Sequence, residues 1–256
     1  MTVLVGISTK AYLSRARTLG WLAELADLAR DHVAVRSGAV ELVVAPSTPL
    51  LEAAVRLLDG TGVEVMAQDV SRFAGGAVTG EDVASLLADL GVAYVEVGHA
   101  ERRRLLGETD AVVAEKVLRS REAGLVPWLC VGEETRVGPV EAAASCLAQV
   151  AAAAGDGPLV VAHEPVWAIG AAEPAPAGHV VGVAEALRAG LPEGVAGARL
   201  VYGGSAGPGL LAATAPAVDG LFLGRRAHDV AGVASVLDEA LAASRRSPRI
   251  SGQRAR

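Results

Sequence analysis

The chain is short of several things that commonly define a protein's class. Among 256 residues there are two cysteines, Cys130 and Cys146, too few for a disulfide framework. A surplus of positive charge is missing as well. Lys and Arg total 23 against 29 Asp and Glu, for a net charge of −6, which argues against a nucleic-acid partner because phosphate-backbone binding needs a basic face. The longest uncharged run, Leu200 to Val218, is interrupted by four glycines and two prolines, so no membrane-spanning helix is expected. The N-terminus enters the strand-like Val3–Ile7 directly, without a basic leader or cleavage site; a cytoplasmic protein is expected. No His, Asp or Glu group has metal-ligand spacing, and neither a metal nor another cofactor is expected. Ser205 lies outside any nucleophile-elbow motif, which disfavours serine catalysis. Lysine is scarce, found only at Lys10 and Lys116. A chain that uses arginine for nearly every generic cation keeps lysine where a compact ammonium is wanted. Lys10, just past the first strand, reads in that way. Lys116, one position after Glu115, reads as a helix-surface residue.

What is present is apolar and regularly spaced. Hydrophobic residues make up 52% and charged residues 20% of the chain, enough for one large core. Eight apolar or β-branched runs predict strands: Val3–Ser8, Val40–Ala45, Val63–Gln68, Tyr94–Gly98, Val126–Val131, Leu159–His163, Leu200–Tyr202 and Gly220–Leu223. Helical patterns alternate with them near Trp21–Asp31, Pro49–Leu58, Gly80–Leu90, Asp110–Ala123, Pro139–Ala153, His179–Ala189, Pro208–Ala215 and Val230–Ala243. The spacing is roughly 32 residues per unit, the size of one βα repeat. Continuous apolar strands suit a parallel sheet covered on both faces. No Gly-rich dinucleotide turn follows the first strand, which favours a closed (β/α)8 barrel over an open doubly wound sheet. We therefore expect one barrel domain over residues 1–244. A basic tail follows over 245–256, rich in Arg, Ser, Pro and Gly, and reads as a frayed, solvated end.

In such a barrel the chemistry collects where strands end. The sixth strand runs into Ala162-His163-Glu164-Pro165-Val166-Trp167-Ala168-Ile169-Gly170. That places a carboxylate at a strand end, followed by a rigid Pro and an apolar stretch able to exclude water. A base that attacks a C–H bond needs those conditions. Other strand ends carry Ser8-Thr9-Lys10, Gly98-His99-Ala100-Glu101, Gly203-Gly204-Ser205 and Gly224-Arg225. His99 sits where a helix starts, and helix N-termini disfavour imidazolium; a neutral imidazole can donate to a carbonyl oxygen, although a lone histidine is often only a satisfied structural residue. Glu101 could pair with Lys10 or with a neighbouring arginine. The two Gly turns before helical runs suit phosphate binding through backbone N–H groups.

Taken together, these segments resemble the triosephosphate isomerase family. The matching pieces are Lys10; Ala45-Pro46; Gln68 with Gly76–Glu81; Gly98–Arg103; Gly107–Asp110; Cys130–Glu133; Glu164–Gly170; Tyr202–Ser205; and Asp219-Gly220 with Gly224. They occur in the family's order over nearly the whole chain. The resemblance implies a TIM barrel and isomerase chemistry. Glu164 would be the base, His99 the neutral electrophile, and Lys10 the stabiliser of developing negative charge; the neutral-histidine assignment is the pKa-tuning pattern described for this family. Gly170, Ser205 and Gly224 would bind a substrate phosphate, and the loop Pro165–Ala175 would close over a small phosphorylated sugar. Members need no metal and usually form homodimers, in which the loop around Phe73–Thr79 would reach the partner and brace Lys10.

The departures from the family cluster around the substrate. Ser8 stands where the family has Asn, Ala100 where it has Ser, Ala171–Ala175 where it has a Thr-Gly-Lys type of lid, and Arg225 where it has a second Gly. Arg225 could contact the ligand or point to solvent. The pattern resembles a branch of the family, the L-erythrulose-1-phosphate isomerases, which share a Ser before the Lys and a Gly-Arg after strand eight. The expected function is a sugar-phosphate isomerase with a slight preference for that four-carbon substrate. The alternatives are an ordinary triosephosphate isomerase and a non-catalytic sugar-phosphate binder.

Overall fold

The computed structural model describes residues 2–195, 197–215 and 217–246. Its elements run β1 (Val3–Ser8), α1 (Arg15–Asp31), α2 (Val33–Arg36), β2 (Val40–Ala45), α3 (Leu51–Leu58), β3 (Val63–Ala67), α4 (Ala84–Asp89), β4 (Tyr94–Val97), α5 (Ala100–Leu106) and α6 (Asp110–Glu122). They continue with β5 (Val126–Val131), α7 (Pro139–Ala153), β6 (Val160–His163), α8 (Ala177–Gly190), β7 (Arg199–Ala206), α9 (Leu210–Thr214), β8 (Gly220–Leu223) and α10 (Val230–Arg246). All eight strands are parallel and close in the order β1 to β8, with β8 pairing back to β1. The expected (β/α)8 barrel is the observed one. Helix α10 carries the basic residues Arg245 and Arg246; the rest of the expected tail, 247–256, lies outside the described residues.

Alternation along the strands divides the core in two. Outward-facing Val3, Val5 and Ile7 pack with helix residues such as Leu22 and Leu25 in one layer. Inward-facing Leu4, Val43, Met66, Trp128, Val160, Val201 and Phe222 fill the barrel itself. Gly6 belongs to this inner set for a steric reason: a Cβ there would lie 2.6 Å from Trp128 Cη2.

Helices α2 and α5 were not among the expected ones, and the bounds of others differ, α1 and β7 among them. Helix α1 starts six residues before Trp21, where Ser14 Oγ accepts the Arg17 N–H at 3.4 Å. Serine in extended geometry is a natural N-cap, and this one was available to be read. Strand β7 runs through Gly203-Gly204-Ser205 to Ala206, with a register irregularity between Tyr202 and Ala206 against β8. The tripeptide is therefore an irregular strand end rather than a turn, and Ser205 adopts φ +56°. Among the described residues, no helix is long and apolar enough to cross a membrane.

Candidate active site

The C-terminal ends of the strands surround a cavity of about 1130 Å³, lined among others by Ser8, Lys10, His99, Glu164, Ser205 and Gly224. Glu164 follows β6 directly and is anchored by its own N–H to Val131 O at 2.8 Å. It is buried, and its Oε2 lies 3.3 Å from His99 Nε2 without any hydrogen-bond partner. Two glycines make room for it. A Cβ on Gly203 would fall 2.3 Å from Glu164 Oε1, and one on Gly132 would fall 2.0 Å from Glu164 O. A buried carboxylate held between backbones with a free oxygen is arranged to take a proton from a ligand.

His99 caps α5, and its Nδ1 accepts the Glu101 N–H at 3.0 Å. Because Nδ1 is an acceptor, the ring proton of this neutral tautomer resides on Nε2, which faces Glu164 and the cavity. Glu101 Oε1 accepts from Lys10 Nζ at 2.7 Å, so of its two expected partners the lysine is the one it takes. Burial works against the Lys10 ammonium. The Glu101 hydrogen bond and the charges of Glu101, Glu164 and Glu96 outweigh it and raise its pKa above the ordinary lysine value. The converse holds for Glu101, where the ion pair overcomes burial and lowers the pKa. Lys10 itself has φ +46°, a costly conformation for a residue with a Cβ. Its carbonyl is pinned by Ser47 Oγ at 2.9 Å and Gln68 Nε2 at 3.2 Å. Within the chain that is the bracing; Phe73, in the loop expected to reach a partner, is exposed.

The candidate phosphate end lies at the mouth. A Cβ built on Gly224 would meet nothing within 4 Å, so the backbone there is open to a ligand. Gly170 has φ +74°. Arg225 is exposed and lines the cavity, and its Nη2 donates to Gly170 O at 2.8 Å, clasping the lid. Arg226 does the same to Ala172 O at 2.8 Å. Ser205 Oγ lies 2.9 Å from Ala168 O and 3.1 Å from Ala171 O, and Tyr202 Oη accepts the Ala175 N–H at 2.8 Å. The lid is thus fastened along its length, despite its unfamiliar sequence.

Three features escaped the sequence reading. The first is Glu96, which is buried on β4 yet lines the cavity. Its signal was a lone acid inside an apolar strand. The second is a cluster of Glu133, His163 and His179 whose ligating atoms all lie within 4.8 Å of one another. Chain spacing hid it, because the loop after β5, strand β6 and helix α8 supply one residue each. His163 and His179 Nε2 lie 3.1 and 2.9 Å from the two Glu133 oxygens, and Trp167 Nε1 donates to the same carboxylate at 3.0 Å. His163 Nδ1 has no partner among the described residues, whereas a metal-bound histidine normally anchors its second nitrogen. The cluster therefore works as a hydrogen-bonded clamp at the root of the lid. Burial would raise the Glu133 pKa, but the His163 and His179 contacts win and lower it to about 2. The third is a correction. Lys116 is buried, not on a helix surface, and its Nζ reaches Asp69 and Glu108, each at 2.6 Å. Arg102 ties the same two acids together at 2.6 and 2.7 Å. Periodicity could not reveal this, since both acids come from other segments.

A parallel barrel with a buried carboxylate, a proton-donating imidazole and a paired ammonium converging beneath a fastened lid defines an acid–base enzyme site. Comparison with known proteins makes the class specific. The family profile for triosephosphate isomerase spans residues 3–240, and the chain belongs to that family. It is 44% identical over 249 residues to the L-erythrulose-1-phosphate isomerase of Pectobacterium atrosepticum, covering 94% of this chain and 96% of that one. It is 39% identical over 236 residues to the triosephosphate isomerase of Thermus thermophilus, covering 87% and 92%. The crystal structure of triosephosphate isomerase from Bartonella henselae superposes with a TM-score of 0.77 at 24% identity, covering 93% of this chain and 98% of that one, which supports the fold. The protein is a sugar-phosphate isomerase of the aldose–ketose type.

Proposed function

We propose that the chain isomerises a four-carbon ketose phosphate, converting L-erythrulose 1-phosphate to D-erythrulose 4-phosphate, with Glu164 as base, His99 as electrophile and Lys10 as charge stabiliser. Glu164 removes the proton from C3 of the substrate. The electrons form the C2–C3 enediolate, while Nε2–H of His99 hydrogen-bonds its oxygens and relays a proton between them. Glu164 returns the proton to C2, so that C3 becomes the carbonyl and C2 the carbinol. Atoms and electrons balance without a cofactor. The observation that carries this reading is the 3.3 Å approach of His99 Nε2 to Glu164 Oε2, with Nδ1 committed as an acceptor. Gly170, Ser205 and Gly224 hold the phosphate at the mouth. Arg225 enters this site through the lid it clasps.

The four-carbon preference is supported by the 44% identical relative and by Ser8, whose short side chain leaves space at the inner end of the cavity. The second reading is an ordinary triosephosphate isomerase, supported by the 39% identical Thermus relative. Paired assays of purified protein decide between them: L-erythrulose 1-phosphate is expected to be the better substrate by kcat/KM. Turnover of glyceraldehyde 3-phosphate alone would overturn the four-carbon assignment. Glu164→Gln should lower kcat by roughly a thousandfold or more while the fold persists, in line with the contribution of a positioned acid–base group. Failure of the wild-type protein to exchange solvent hydrogen into any sugar phosphate would instead favour a non-catalytic binder. We also infer a cytoplasmic homodimer, in which the exposed loop at Phe73 covers the Lys10 side of a second copy.

A further inference from the structure

Glu96 is the buried group that the chemistry above leaves unused. It faces the barrel interior, two residues before Gly98, and in the β4–β5 register it sits opposite Trp128. It is 4% exposed, its Oε2 has no hydrogen-bond partner among the described residues, and it lines the same cavity as Ser8, His99 and Glu164. Ser8 is itself buried and close enough to lower the Glu96 pKa. A buried carboxyl oxygen without a partner is costly to keep. It persists among Leu4, Trp128 and Phe222, which would accept an apolar residue readily.

The substrate's own chemistry indicates what could meet it. A triose phosphate ends, at the carbon farthest from phosphorus, in an aldehyde or the corresponding carbinol. The tetrulose phosphate differs by one hydroxymethyl group attached to that same carbon. With the phosphate at Gly170, Ser205 and Gly224 at the mouth, the extra –CH2OH projects away from the lid, toward the floor. Ser8 and Glu96 are buried polar groups that line the cavity; the neighbouring Cys130 thiol is buried and pushed far from ionisation by that burial.

We propose that Glu96 is the specificity-determining residue of this site, receiving the terminal hydroxyl of the four-carbon substrate together with Ser8. This deepens the four-carbon reading and rests on it. Neither residue takes part in the C2–C3 proton transfer, so removing Glu96 should alter the choice of substrate more than the chemistry. Burial, with the nearby Glu164 charge, raises the Glu96 pKa to about 7 despite His99 and Lys10. Near neutrality the carboxyl can therefore donate to the hydroxyl in its protonated form and accept from it in its ionised form.

The test compares wild type with Glu96→Met, which keeps length and removes polarity, and Glu96→Gln, which keeps hydrogen bonding and removes the charge. Both should fold as the wild type does by circular dichroism. In Glu96→Met, kcat/KM for L-erythrulose 1-phosphate should fall roughly 10- to 100-fold, the loss expected for one hydrogen bond to a buried partner. Triose-phosphate turnover should change less than about threefold, and Glu96→Gln should recover most of the tetrulose preference. A tetrulose-to-triose ratio unchanged in Glu96→Met would overturn the role of Glu96 while leaving the substrate assignment standing. A wild type inactive on the tetrulose would overturn the assignment itself before any variant is made. If Glu96→Met does not fold, the ratio in Glu96→Gln, together with the pH dependence of kcat/KM on each substrate, decides. A bend near pH 7 on the tetrulose that Glu96→Gln removes supports the proposal; no difference between the two proteins on either measure overturns it.

Discussion

Single residues in this protein carry more than one obligation, and Lys116 is the clearest case. It is one of two lysines in the chain, and its ammonium is held between Asp69 and Glu108 while Arg102 bridges the same pair. The two acids respond in opposite directions. Burial dominates at Asp69 and raises its pKa, whereas at Glu108 the hydrogen bonds from Lys116 and Arg102 overcome burial and lower it. Removing the lysine leaves two carboxylates, Glu108 nearly buried and Asp69 partly exposed, sharing one guanidinium. Lys116→Ala is expected to lower unfolding free energy by about 3 kcal/mol, the usual cost of breaking a buried pair. Chemical denaturation at neutral pH measures it, and a loss below about 1 kcal/mol would assign the cluster to solvent-screened surface behaviour instead. Lys10 shows why some residues were legible and others were not. Its place after β1 and its rarity drew attention from sequence. Its φ of +46° and the carbonyl clasp by Ser47 and Gln68 depend on segments tens of residues away.

At the scale of elements, the lid is the informative unit. It leaves β6 through Glu164-Pro165 and rejoins the helical layer at α8. It is fastened at one end by the Glu133 clamp on Trp167 and His179, and along its course by Ser205, Arg225, Arg226 and Tyr202. Two arginines on the turn after β8 donate to the lid carbonyls of Gly170 and Ala172. Glu133→Ala should therefore loosen the lid at its root. The expected result is a kcat lower by roughly tenfold and a larger share of substrate lost as inorganic phosphate, because an enediolate exposed to water eliminates its phosphate. Phosphate release measured beside isomerised product checks this. An unchanged ratio with intact kcat would confine Glu133 to holding β5 and β6 together. The double variant Arg225→Ala with Arg226→Ala is expected to move the same ratio in the same direction, more weakly, since both arginines are exposed.

For the molecule as a whole, periodicity was enough to count eight strands and close them, because the strands are predominantly apolar and each helix follows within one repeat. The candidate site was legible where a strand end carried an unusual residue: Glu164, His99 and Lys10. It was not legible where partners converge from distant strands, as in the Glu133 clamp, or where an acid hides among valines, as at Glu96. That hidden acid shapes the pH dependence of the whole fold. Burial raises its folded pKa to about 7 from an ordinary 4.5, so between those values the folded protein binds the proton more tightly than the unfolded chain. Its stabilising contribution is complete below pH 4.5 and disappears as pH rises through 7, a loss on the order of 3 kcal/mol at about 1.4 kcal/mol per unit. Glu133 acts in the opposite sense. With its folded pKa lowered to about 2, its contribution is present above 4.5 and is lost as pH falls toward 2. Stability should thus be greatest in mildly acidic solution. Denaturation midpoints measured from pH 3 to 9 check the shape, and Glu96→Gln isolates its cause. The variant should lose the decline between pH 5 and 8 and keep the acid limb. If the wild-type midpoint is instead flat across neutrality, Glu96 is ionised at little cost, and the floor of the barrel is wetter than its packing indicates.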